Sequence, residues 1–329
     1  MKAPDSAGLA KYATILTLAL AVIAPATGDA YFLNLLLLML VFIIFASSWN
    51  LLALSGQGSL GHAAFFGIGA YASILIAAKT GLPPFLALPL GGAVAAAVGL
   101  LIGLTCVRLK EWFLAMVTFG FAIIAQTLVV SVLEPVTGGW EGLASPGLVP
   151  ATIPGSSFIE YYSVLALAAL SILAIRALTR SRIGLAFAAI RENETEARAS
   201  GVDPVRYRLL GFAASAFLAG IAGALEIYHF GYVTPDIFGV DISFLPVVYS
   251  IFGGLGTLAG PVIGTVILTL VSEGLLNLGF TFERFIIIGL ILILVVIFLP
   301  RGLVSLPEEA REWWERRKKG EAAPKETPG

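Results

Sequence analysis

Long apolar runs separated by short polar turns dominate the chain. A spanning helix needs about 20 apolar residues. Runs that approach that length fall at 12–27, 31–54, 60–78, 85–106, 112–133, 159–178, 207–229, 260–277 and 284–300, with a shorter one at 243–253. A helix of about 11 residues rises about 16 Å, half of a bilayer core, so 243–253 reads as a half-membrane helix. The pattern predicts an all-α polytopic membrane protein of about ten membrane segments. Its domains are a tail at 1–11, a membrane domain at 12–303 and a second tail at 304–329. For the first run a signal peptide and an uncleaved helix both fit. Lys2 and Lys11 lie on its N-terminal side and Ala24-Pro25-Ala26 imitates a cleavage site, but the membrane-embedded remainder favours the helix.

Two Gly-rich breaks interrupt the apolar pattern. Gly56-Gln57-Gly58-Ser59-Leu60 and Gly254-Leu255-Gly256-Thr257-Leu258 share G-x-G-[S/T]-L. Each follows a run heading inward and precedes one heading outward, as expected of a parallel internal repeat with interrupted helices at the substrate pathway. Non-helical backbone at membrane depth lines a cavity or is buried in protein. The alternative is that these glycines only allow helices to pack closely. The first break continues through Gly61, His62 and Gly67. A lone His there is more often a satisfied packing group than a proton carrier. Glu226 and His229 sit one turn apart near the end of a span, and Glu273 is a further acid. An acid in a spanning helix is a functional candidate, although near an end it can simply reach water.

Composition agrees with the pattern. The chain is 58% hydrophobic and 12% charged, with a mean hydropathy of +0.94, where soluble domains carry about 25% charged residues. A net charge of −1 provides no overall basic field for nucleic acid. Cys106 is the only cysteine, and no Cys/His cluster has metal-ligand spacing. Positive charge sets the sides. Arg176, Arg180, Arg182, Arg191, Arg198, Arg206 and Arg208 surround one loop; Arg108 and Lys110 mark a second, and Arg311, Arg316, Arg317, Lys318, Lys319 and Lys325 crowd the C-terminal tail. The segment 134–160 has no Lys or Arg. The reading puts both termini and the Arg-rich loop in the cytoplasm and 134–160 outside. Lys79 and Arg284 are exceptions, each at an expected external turn.

The Arg-rich loop, 179–206, is patterned itself. Ile183, Phe187, Ile190 and Ala197 share one face at helical spacing, with charges opposite. Gly201 suits a C-terminal cap, and Asp203-Pro204 an N-cap and first turn. This predicts one amphipathic helix outside the membrane. Charge of both signs fits a protein groove better than an anionic lipid surface. No G-x-x-x-x-G-K-[ST] occurs, so the chain has no P-loop for ATP. A partner or an ion gradient must drive it, or it is a channel; a gradient-driven carrier would place paired acids in mid-membrane.

The run GQGSLGHAAFFGIGAY at 56–71 resembles the signature of the branched-chain amino acid ABC permease family, LivM-type subunit. So do SRIGLAFAAIRENE at 181–194, ARASG at 197–201, GGLGTLAGPVIG at 253–264 and FLPRGL at 298–303. The resemblance covers nearly all of 34–303. It implies the membrane subunit of a bacterial plasma-membrane importer, itself neither an enzyme nor a cofactor binder. Its implied partners are a second permease of LivH type, two ABC ATPase subunits that hydrolyse ATP, and a periplasmic binding protein. Branched-chain amino acids are the implied substrates, although similar permeases take urea, short amides or aromatic acids. The translocation candidates are Gln57, Gly58, Ser59, His62, Gly254, Gly256, Thr257 and Glu226. The loop at 182–201 corresponds to the family's ATPase-coupling loop, with Phe187, Ile190, Arg191, Glu192, Glu194, Ala197 and Gly201 as contact candidates, Phe187 and Ile190 entering a groove of the ATPase.

Overall fold

The computed structural model describes residues 29–306, except positions 108, 110 and 151. Both expected tails, the first apolar run and the charges of Arg108 and Lys110 lie outside the described residues. The described chain is almost entirely helical: α1 (Ala30–Leu54), α2 (His62–Thr80), α3 (Pro84–Cys106), α4 (Glu111–Thr127), α5 (Ser156–Arg180), α6 (Arg182–Glu192), α7 (Glu194–Ala199), α8 (Pro204–Phe230), α9 (Val240–Gly253), α10 (Gly260–Asn277) and α11 (Glu283–Phe298). A π-helical turn, Leu128–Val132, extends α4. Seven of these helices are long and apolar enough to cross a membrane. The 14-residue α9 and the 16-residue α11 are shorter. At 1.5 Å per residue α9 rises about 21 Å, less than the hydrocarbon core of about 30 Å.

Helix α1 is apolar all round, as a helix enclosed by others must be, and it is buried without interruption from Met39 to Leu52. It packs against α5, α8, α9 and α10. On the other side of α8, small residues let α2, α3 and α8 approach at backbone distance. A Cβ on Gly69 would strike the backbone of Gly220, and a Cβ on Gly220 would lie 2.7 Å from that of Ala95. One on Gly99 would lie 2.6 Å from the Cβ of Ala216. Van der Waals contact across such seams holds membrane helices together where no hydrophobic drive exists between them. No residue of α11 is buried, so this helix lies at the edge of the bundle.

One end of the bundle carries α6 and α7, with most of the described arginines. At the opposite end a two-stranded antiparallel pair, β1 (Leu143–Ala144) and β2 (Tyr232–Val233), ties two connecting segments together. The following turn, Pro235–Phe238, dips among the helices. Gln126 Nε2 donates to Pro235 O at 3.0 Å, and the Phe238 ring stacks on Tyr71 and fills the space that Gly67 leaves free.

The amphipathic loop forms two helices rather than the single one predicted. Asn193, at φ −158° and ψ 106°, breaks it, and its Oδ1 caps α7 by accepting from the N–H groups of Thr195 (3.0 Å) and Glu196 (3.3 Å). An Asn side chain offers the backbone this alternative to continuing a helix. The two caps read from the sequence are present. Gly201 takes a left-handed φ of 84° after α7, and Asp203 Oδ1 accepts from Val205 N at 3.0 Å ahead of α8.

Candidate functional site at the two helix breaks

Both Gly-rich breaks reach the arginine-rich end, and a side chain of α1 holds the second one. Asn50, a turn before the end of α1, donates from Nδ2 to Thr257 O at 2.8 Å and accepts on Oδ1 from Gly256 N at 2.9 Å. It is 2% exposed. Its amide therefore replaces the helical partners that the broken segment between α9 and α10 has lost. Thr257 closes the segment locally: its Oγ1 donates to Gly254 O (2.8 Å) and accepts from Gly260 N (2.9 Å) at the start of α10. Gly254 (φ 133°) and Gly256 (φ 77°) adopt backbone that only glycine takes easily. The FLPRGL segment backs this break, with Gly302 against Gly254.

The first break has a different backbone despite the shared motif. Gly56 has φ 77°, but Gly58 is not left-handed and nothing lies within 4 Å of where its Cβ would be. From Gly56 the chain runs back along α1, non-helical, to His62. Ser48, the partner of His62, stands six residues before the end of α1, about 9 Å along its axis. Helix α2 thus begins well inside the bundle. Gly61 is the tight point, because a Cβ there would collide with Thr118 O. The remaining break residues hold it in place. Gln57 Nε2 donates to Ser55 Oγ (2.9 Å) and Arg208 O (3.0 Å), and Ser59 O accepts from Trp49 Nε1 at 2.7 Å. His62 is fully buried, stacked on Phe45. Ser48 Oγ donates its only proton to Phe45 O at 2.6 Å, so at its 2.9 Å contact with His62 the ring's Nε2–H is the donor. The other ring nitrogen of His62, Nδ1, is buried with no hydrogen-bond partner.

The α6–α7 pair lies across both breaks. A Cβ on Gly56 would lie 3.6 Å from Arg191 Cα, and one on Gly256 would lie 3.1 Å from Arg191 Nη1. Arg191 is thus a coupling candidate that lies beside a glycine of each break. Glu194 anchors the pair to α8 by an ion pair with Arg208 (2.9 Å), and within α7 it also pairs with Arg198 (2.7 Å). The hydrogen bond from Arg198, helped by the charge of Arg208, holds the Glu194 carboxyl below its usual range. An open cavity of about 720 Å³ beside Gly56 and Gln57 is lined by Trp112, Glu194, Arg198 and Arg208 as well.

Phe187, Ile190 and Ala197 correct the sequence reading. They are 1%, 3% and 4% exposed, buried against their own chain, with the Phe187 ring over Gly211 of α8. They attach the pair to the bundle and leave no free anchor for a groove elsewhere. The outward face carries Arg182, Leu185, Ala188 and Glu192 instead, and Leu185 is 70% exposed. Glu226 stands apart from the breaks, half-buried near the far end of α8. Its neighbour His229 pairs with Glu160 of α5 at 3.0 Å. Sequence reasoning missed Asn50, Leu185 and Arg208. An amide in the apolar run of α1 was a visible signal for the first. For Leu185 the signal was its place on the helix face opposite Phe187.

Seven candidate spans, two irregular breaks at one end and a charged helix pair seated on them define the membrane subunit of a transport system. The model of the family described as the branched-chain amino acid transport system permease component matches residues 31–297, and the chain belongs to that family. The high-affinity branched-chain amino acid transport permease LivM of Salmonella typhimurium is 31% identical over 310 residues, 86% of this chain and 72% of that protein. LivM of Escherichia coli is 29% identical over 334 residues, 93% and 77% of the two chains. The probable branched-chain permease LivH of Methanocaldococcus jannaschii is 27% identical over 260 residues, covering 73% and 80%. No solved structure matches.

Proposed function

We propose that the chain is one of two permease subunits in an ATP-driven importer of branched-chain amino acids, and that its α6–α7 pair couples nucleotide hydrolysis in partner ATPases to movement of the two breaks. Arg191 carries the reading, because a single residue on the surface helix fills the space beside a glycine of each interrupted segment. The relatives' names supply the substrate class, and the LivM and LivH relatives supply the second permease. In this reading the arginine-rich end faces the cytoplasm and 134–160 faces a binding protein outside. The 12–27 run adds a further span, bringing the count to about ten in two parallel halves, with both termini inside the bacterial plasma membrane. The exposed α6 face around Leu185 docks on the ATPase, while Phe187 and Ile190 transmit its motion inward.

The test is uptake by proteoliposomes holding the permease with its neighbouring permease, ATPase and binding-protein subunits. Leucine, isoleucine and valine should be accumulated with ATP inside, ahead of urea, acetamide and phenylalanine; preference for any of these three refutes the substrate assignment. Leu185→Asp should release the ATPase and lower uptake by about tenfold or more, as loss of an interface anchor does. Normal ATPase association in that variant would remove α6 as the docking element.

A further inference from the structure

At the end opposite the arginines, a cleft of about 460 Å³ runs down between α1, α9, α10 and α11. Its size is in the range of small-ligand sites. Arg284 of α11 and two acids, Asp241 of α9 and Glu273 of α10, share its lining. Among the described residues these opposite charges do not pair with one another. No ion pair within 4.0 Å involves Arg284, and its buried Nε has no hydrogen-bond partner. Its guanidinium lies 4.9 Å from the Phe285 ring centre instead. Glu273 takes a hydrogen bond from Tyr31. Below this rim the walls are largely apolar, with Phe42, Leu245, Val248 and Leu292 beside the hydroxyl-bearing Tyr249, Thr269 and Ser272. Arg284 is also an exception to the positive-inside pattern, so orienting the chain does not account for it.

We propose that this cleft binds an α-amino acid with an apolar side chain. The Arg284 guanidinium takes the carboxylate, Asp241 and Glu273 face the ammonium, and the side chain points down between Phe42 and Leu292. A guanidinium with free donors suits a carboxylate, and unpaired opposite charges around one cavity match a zwitterion better than an ion of either sign. The cleft opens at the end where an importer receives its substrate, so this assignment rests on the proposed function and adds a subsite to it. A zwitterionic lipid headgroup shares the chemistry, and the test separates the two.

The test measures binding of radiolabelled leucine to the full-length permease in nanodiscs of phosphatidylglycerol alone, and leucine uptake by the complete transporter. Binding should saturate. Leucinamide, without the carboxylate, and 4-methylpentanoate, without the ammonium, should compete at least about tenfold less well than leucine, as expected when a charged hydrogen bond is lost. Arg284→Gln should weaken binding and raise the uptake KM by about tenfold, with Arg284→Lys recovering part of the loss. If wild-type transporter imports leucine and Arg284→Gln changes neither binding nor KM, the cleft assignment fails while the proposed function stands. If phosphatidylethanolamine abolishes leucine binding without altering uptake, the site is a lipid site and the assignment also fails. If the nanodiscs bind leucine through Arg284 but the transporter imports no branched-chain amino acid, the proposed function fails and the cleft assignment survives.

Discussion

At the residue scale, the glycines of the first break divide into two kinds that the sequence does not distinguish. Gly58 stands in the motif shared by the two breaks and is a translocation candidate. Yet its Cβ direction is open and its backbone is not left-handed, while Gly61, outside the shared motif, presses on Thr118 O. Gly61→Val should therefore deplete folded permease from the membrane, with a loss of a few kcal/mol typical of overpacking. Gly58→Ala should accumulate normally and transport within about twofold of wild type, surface changes typically costing less than 0.5 kcal/mol. Quantitative immunoblots of membranes beside uptake rates would decide it, and the reverse order of severity would contradict this geometry. A motif records which positions carry glycine. Which of them the fold presses on depends on a helix far along the chain, here α4, and spacing does not contain that.

At the element scale, the apolar face of the loop was legible because helical periodicity places Ile183, Phe187, Ile190 and Ala197 together. What covers that face was not legible, since periodicity is the same whether a partner or the chain itself does so. The break at Asn193 was also hidden within an unbroken pattern. Glu194 sits just beyond it and ties α7 to α8. Its carboxyl titrates below the ordinary value of 4.5 in the folded chain. A depressed acid stabilises the folded form above its unfolded pKa, and the contribution is lost as pH falls through the folded one. Hydrogen exchange across 194–200 should therefore be unchanged from pH 7 to about 5 after correction for intrinsic rates, then rise below pH 4.5 as the pairs with Arg198 and Arg208 break. Glu194→Gln should show the raised exchange already at pH 7. Equal protection in both proteins at pH 7 would mean that the ion pairs do not hold α7.

At the scale of the whole molecule, the membrane class and the order of helices were legible in the sequence, because long apolar runs have few other physical outcomes. The seating of the second break on α1 was not, as it depends on Asn50 bonding to a residue more than 200 positions away. The sides of the membrane follow from arginine distribution and are open to a direct check. In a Cys106→Ser background, an impermeant thiol reagent applied from outside should label Ser145→Cys but not Ser200→Cys; the opposite pattern would invert the orientation. Most direct of all is the amount of leucine imported per ATP hydrolysed by the reconstituted transporter when Arg191 is replaced by alanine. If the α6–α7 pair works on both breaks through this residue, the ATPase subunits stay bound and hydrolysis continues, while leucine imported per ATP falls by about tenfold or more, equivalent to about 1.4 kcal/mol of lost coupling. An unchanged ratio in the assembled Arg191→Ala transporter would contradict the account.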